Sequence, residues 1–344
     1  MPNSAAELQD RYQGAVLGLA IGDALGFPLR GVPRAALWRS PALGDEFAPR
    51  PRGGQYARGQ FSDETQLMLA TADSVCRELR MTGRSLAAHY AWLWQQGVIL
   101  HPPRALADAL RRLAADQPWM TAGAPIGQRD PSVLSRALVV GLWQAGQPQR
   151  LVHDAGIVTV VTHKDPLCAA AVAAYARAVS LAVEGAMLTP VEICEVLAQA
   201  ASIHDPGLAE EVRHLHLALG WDDGAALDAL RRIGVPAMML EGQEGLPQHV
   251  TPVLLTALFA ALRHPGDYKA AVSLALRAGG ELDVAAALAG GLVGAGVGAE
   301  GLPPRLRRTV LYSDHLHDTA LRLMQARMSA VSAVPLVHAR SRRS

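Results

Sequence analysis

Gly14, Gly18 and Gly22 recur at every fourth residue near the start of the chain, and Gly290, Gly294 and Gly298 repeat that step near its end. In an α-helix each set falls along one side. A glycine inside a helix costs roughly 1 kcal/mol against alanine. A helix that keeps three of them needs compensation. Close approach of another helix or loop supplies it, because no Cβ holds the two backbones apart. Composition agrees with a packed helical protein: hydrophobic residues make up 50% of the chain, alanine and leucine dominate them, and aromatics are only 5%. That balance favours helices over strands and supports a large core.

Apolar residues at three- and four-residue steps predict helices over residues 5–25, 65–81, 86–96, 103–115, 132–144, 149–161, 166–184, 190–202, 208–220, 225–233, 250–262, 268–278, 284–296 and 304–331. No segment sustains the two-residue alternation of a strand. The expected fold is all-α, a single multi-helix domain over residues 1–333, followed by a basic, solvated tail over 334–344. Between residues 30 and 60 lie Pro33, Pro41, Pro49 and Pro51 with Gly44, Gly53, Gly54 and Gly59, which predicts a long loop. Loops of that length inside a compact domain are often functional.

Several classes of function are disfavoured. A formal net charge of +1 gives no drive toward nucleic acid. Cys76, Cys168 and Cys194 are far apart in apolar stretches and read as buried reduced thiols, which fits a cytoplasmic setting. No signal core opens the chain, and the longest apolar run, residues 284–299, is 16 long. A membrane helix needs about 20. The sequence is silent on oligomeric state.

Two acidic clusters stand out: Gly59-Gln60-Phe61-Ser62-Asp63-Glu64-Thr65 and Gly279-Gly280-Glu281-Leu282-Asp283. Each stands at the expected start of a helix, where capping alone accounts for such residues. Each also precedes an apolar helix, against which unpaired carboxylates are costly. A hard divalent cation held by oxygens would satisfy both, if the clusters meet.

The segment from Arg11 to Gly26, ending Ile21-Gly22-Asp23-Ala24-Leu25-Gly26, resembles the opening signature of the ADP-ribosylglycohydrolase family. Ser62-Asp63-Glu64-Thr65 is similar to its (Thr/Ser)-Asp-Asp-Thr motif, and Thr162-His163-Lys164-Asp165-Pro166 to its Thr-His-x-Asp-Pro element. Gly279 to Asp283 resembles its Gly-Gly-Asp-x-Asp-Thr motif, and Gly301-Leu302-Pro303 its closing element. The resemblance implies a metal-dependent hydrolase cleaving the bond between ADP-ribose and an acceptor. It implies a site with Ser62, Asp63, Glu64, Glu281 and Asp283 around two Mg²⁺ or Mn²⁺ ions. Asp63 and Glu64 would be catalytic, and His163, Ser132 and Asp23 would face substrate.

Several positions depart from the pattern, and the segment Pro131 to Arg136 keeps only the arginine of the family's Asn-Gly-x-x-Met-Arg loop. Glu64 and Glu281 stand where the family has aspartates, and Val284 replaces a hydroxyl residue. One added methylene moves an oxygen by about 1 Å, and a misplacement of that order costs about 100-fold in rate. Arg30 lies where a glutamate is expected. As a fixed cation it would pair with Glu64 or Glu281, leaving one ion or none. A degenerate member that binds ADP-ribose or a related nucleotide without hydrolysis is the alternative, and a hydrolase or isomerase for an unrelated ligand a third reading.

Overall fold

Helix Ala5–Gly26 and helix Leu282–Val297 lie antiparallel with their backbones in contact, and the two glycine ladders face one another. A Cβ on Gly14 would fall 2.2 Å from Gly294 O, on Gly18 2.3 Å from Gly290 O, and on Gly22 2.2 Å from Ala286 O. The ladder continues to Gly26, where a Cβ would sit 2.4 Å from Asp283 Cα. No side chain fits at these crossings, which is why the glycine cost is tolerated.

The computed structural model describes residues 4–39, 44–48 and 54–332. Among them are seventeen α-helices. The first eight are α1 (Ala5–Gly26), α2 (Arg34–Arg39), α3 (Asp63–Glu78), α4 (Gly83–Gln95), α5 (Arg104–Ala114), α6 (Trp119–Ala122), α7 (Ala137–Trp143) and α8 (Pro148–Val160). The rest are α9 (Pro166–Glu184), α10 (Pro190–Ser202), α11 (Pro206–His214), α12 (Asp223–Leu230), α13 (Val250–Arg263), α14 (Tyr268–Arg277), α15 (Leu282–Val297), α16 (Pro304–Thr309) and α17 (Ser313–Ser332). No strand occurs among the described residues, only isolated bridges at Ala124–His163 and Leu246–Gly280. The fold is all-α, as the periodicity predicts.

The core centres on the α1–α15 pair. From Gly14 to Gly26 every residue of α1 is buried, so that part of the helix has no solvent face. α9 passes beside it with Tyr175 Oη donating to Leu288 O at 2.8 Å. α9 is long and apolar enough to cross a membrane, but 78% of its most apolar window is buried inside the protein, and it is a core helix. It is also a longer apolar helix than the 284–299 run.

Several boundaries differ from the periodicity. The 304–331 helix is two: Val310 is extended and Tyr312 has φ 58°, because Leu311 N donates to Gly59 O at 3.0 Å. The 132–144 helix opens as a 3₁₀ turn over Pro131–Arg136, and the 208–220 helix ends as one over Leu215–Gly220. The 30–60 loop contains α2. Pro41, Pro49, Pro51 and Gly53 of that loop, and the tail over 334–344, lie outside the described residues.

Candidate active site

Two glycine turns and one buried aspartate bring the acidic clusters together. Gly279 and Gly280 have φ +70° and +63°, and a Cβ on Gly280 would meet Leu246 O at 2.1 Å. Leu246 N donates to Gly279 O and Glu281 N to Leu246 O, both at 3.1 Å. This turn puts Glu281 at the start of α15 and Asp283 in its first turn, against Gly26. On the other side, Asp23 Oδ2 accepts from Ser62 N at 3.0 Å, Thr65 N at 3.1 Å and Thr65 Oγ1 at 2.7 Å. The last turn of α1 therefore holds the first turn of α3, and with it Asp63 and Glu64. Ser62 caps that helix, its Oγ accepting from Glu64 N at 3.4 Å.

The result is a floor of buried carboxylates. Asp23, Asp63 and Asp283 have no solvent exposure, Glu64 is 1% exposed, and Glu281 is half-buried. Burial and then the charge of Asp283 push Asp23 up to about 6, and the same two causes push Glu281 up to about 7. Asp63 and Glu64 are held well above the usual carboxylate range, chiefly by burial; Arg30 opposes the rise at Asp63, and Asp63 adds to it at Glu64.

Arg30 enters this floor from the end of the short turn after α1. Its Nε donates to Asp283 Oδ2, and its Nη2 stands 3.7 Å from Asp63 Oδ1. Its partners are thus Asp283 and Asp63, not the expected Glu64 or Glu281. The two aspartates lie at the helix starts nearest the turn, whereas Glu281 precedes its helix and Glu64 lies one residue further along. Burial works against the guanidinium's charge, and Asp283 and Asp63 outweigh it, raising its pKa.

Above the floor is a cleft of about 390 Å³ lined by Arg30, Glu64, Asp130, Ser132, Glu281 and Asp283, among others. Asp130 is a site residue that the sequence reading missed. It caps the Pro131–Arg136 turn, accepting from Ser132 N at 2.9 Å, and the Asp-Pro pair was its available signal. Ser132 lines the cleft, and its Oγ is buried with no hydrogen-bond partner. His163 is wholly buried behind Asp130: Nε2 stands 3.9 Å from Asp130 Oδ1, and Nδ1 pairs with Thr162 Oγ1 at 3.0 Å. Asp23, expected to face substrate, is wholly buried and does not line the cleft; its Oδ2 is engaged by Ser62 and Thr65.

Both Asp63 oxygens, Glu64 Oε2 and Asp283 Oδ1 are buried without a hydrogen-bond donor, a state that calls for positive charge nearby. Part of that charge is already present in Arg30. Val284 offers no oxygen, and among the described residues no three acidic, histidine or cysteine side chains close on one point. The residues as arranged do not fit a pair of divalent ions.

Fold and cleft together define an all-α protein with a buried carboxylate site open on one side. The chain belongs to the ADP-ribosylglycohydrolase family, whose model matches residues 4–332. An ADP-ribosylarginine hydrolase, Tri1, of Pseudomonas putida is 26% identical over 322 residues, spanning 91% of this chain and 78% of that protein. An uncharacterized protein of Archaeoglobus fulgidus is 24% identical over 325 residues, spanning 94% of this chain and 99% of that one. The solved structure of an ADP-ribosylglycohydrolase-related protein complex shares the fold, with TM-score 0.71 at 24% identity over 94% of this chain and 100% of that chain.

Proposed function

We propose that this chain hydrolyses the glycosidic bond between ADP-ribose and an acceptor, at the cleft over Asp63, Glu64 and Asp283. One observation carries the reading: Glu64 and Asp283, each with a buried carboxylate oxygen that has no donor, line an open cleft, and Asp63 lies buried behind them. Cleavage at an anomeric carbon passes through an oxocarbenium-like centre, and a preorganised anionic floor stabilises the positive charge that develops there. Water bonds to the anomeric carbon as its bond to the acceptor breaks, and Glu64, which reaches the cleft with Asp63 beside it, takes the water's proton and passes it to the departing acceptor. Ser132 and Asp130 also line the cleft and would meet the ribose hydroxyls. An adjoining hollow shares Asp130 with the cleft and is lined by Arg104, Arg112 and Arg129, which suit a diphosphate. The family, and the name of the Pseudomonas relative, support this substrate class.

Incubation with ADP-ribosylated arginine, ADP-ribosylated serine and ADP-ribosylated nucleotides, with and without Mg²⁺, tests the proposal. It expects free ADP-ribose from at least one of them, and a loss of about 100-fold in Glu64→Gln. Release from none, under either condition, counts against it. A second reading, binding without turnover, rests on Arg30 at the floor; tight ADP-ribose binding with no release is its signature.

A further inference from the structure

We propose that Arg30 is the resident cation of this site, standing in place of one of two divalent ions, so that the chain takes up no more than one. The proposal depends on the reading above only for where the site lies.

The guanidinium touches one carboxylate from each acidic cluster, Asp283 through Nε and Asp63 across 3.7 Å. A Mg²⁺ ion binds oxygen at about 2.1 Å. An ion bridging these two aspartates would therefore contend with the guanidinium for the same ground.

Asp23, Asp63, Glu64, Glu281 and Asp283 are gathered here, and among the described residues Arg30 is the only cationic side chain in an ion pair with any of them. A guanidinium keeps its charge at every working pH, and no chelator removes it.

Arg30 follows Gly26, itself pressed on Asp283 Cα, by the short 3₁₀ turn Phe27–Leu29. The Phe27 ring lies 5.6 Å beneath its Cζ. Side-chain exposure is 23%, so the head group is held inside while the cleft stays open. Val284, without an oxygen at the adjacent position, removes a ligand from the same side.

The test is Mn²⁺ binding by equilibrium dialysis with metal analysis, paired with thermal melting in EDTA and in Mg²⁺, on the full chain. The unmodified protein should hold one Mn²⁺ or none per chain and melt at nearly the same temperature in both buffers. Arg30→Gln should melt several degrees lower in EDTA, recover in Mg²⁺, and bind Mn²⁺ at least about tenfold more tightly than the unmodified protein, since a repelling charge has gone. Arg30→Lys, which keeps a cation, should remain indifferent to Mg²⁺. Two ions per unmodified chain, or no gain of Mn²⁺ affinity in Arg30→Gln, overturns the proposal. If Arg30→Gln does not fold, the ion count of the unmodified chain decides alone. None of these readouts needs turnover, so a chain inactive on every substrate leaves this inference standing, and an active chain holding two ions sinks it alone.

Discussion

Arg30 donates from Nε to Asp283 Oδ2 across 253 positions of chain. The same guanidinium faces Asp63, so one side chain joins the two clusters that the glycine ladder and Asp23 bring together. Loss of a single partner from a buried ion pair is strongly destabilising, because the other charge is left uncompensated. Arg30→Ala should therefore cost about 3–5 kcal/mol in metal-free buffer, because Asp283 and Asp63 are both left buried without their cation. Urea unfolding checks this, and a cost near zero would mean that the ion pairs of Arg30 add nothing to stability.

The ladder makes a paired prediction. Gly22→Ala puts a methyl 2.2 Å from a backbone carbonyl that no rotamer change can clear, so α1 and α15 must part. The expected loss is about 3 kcal/mol, with a fall in activity as Asp23 and Asp283 separate. Gly296→Ala, on the exposed side of α15 with nothing within 4 Å, should instead raise stability by up to about 1 kcal/mol. Thermal melts of the two variants should move in opposite directions.

Asp23 distinguishes positioning from charge. Asp23→Ala removes the acceptor for Ser62 N, Thr65 N and Thr65 Oγ1 together. It should cost about 3 kcal/mol and lower kcat by about 100-fold, since the Ser62–Asp63–Glu64 segment loses its register. Asp23→Asn keeps an acceptor oxygen and should retain most of both. Equal loss in the two variants would point to the negative charge itself.

His163 sets a pH dependence. Burial, then the Arg136 charge, lowers its imidazole from 6.5 to about 3. A base harder to protonate in the folded chain contributes stability that is fully present above pH 6.5 and lost as pH falls toward 3. The slope is about 1.4 kcal/mol per pH unit for one proton. His163→Asn should be less stable than the unmodified protein at pH 7.5, and the gap should narrow between pH 6 and pH 4. Urea midpoints across that range measure it, and a constant gap contradicts the assignment.

Much of this was readable in the residues. The helices over 166–184 and 190–202 begin where the rhythm places them, because Asp165-Pro166 and Thr189-Pro190 are strong start signals. The glycine spacing announced close packing, but not that the ladders meet each other, since spacing carries no partner. The break at Val310–Tyr312 was invisible: a tertiary bond to Gly59 makes it, against an unbroken apolar period. The clusters around Asp63 and Asp283 stood out by composition. Asp130 did not, since it reads as an ordinary cap until the fold turns it into the cleft. Arg30 was noticed as misplaced, yet its partners depended on which carboxylates the helix starts present.

The central claim is that the buried carboxylates beneath the cleft perform glycosidic cleavage. Single-turnover release of ADP-ribose from an ADP-ribosylated arginine peptide, unmodified protein against Asp63→Asn and Glu64→Gln, tests it most directly. The account predicts release by the unmodified protein and a fall of about 100-fold or more in each variant, with peptide binding retained. Release at an undiminished rate in both variants would contradict it.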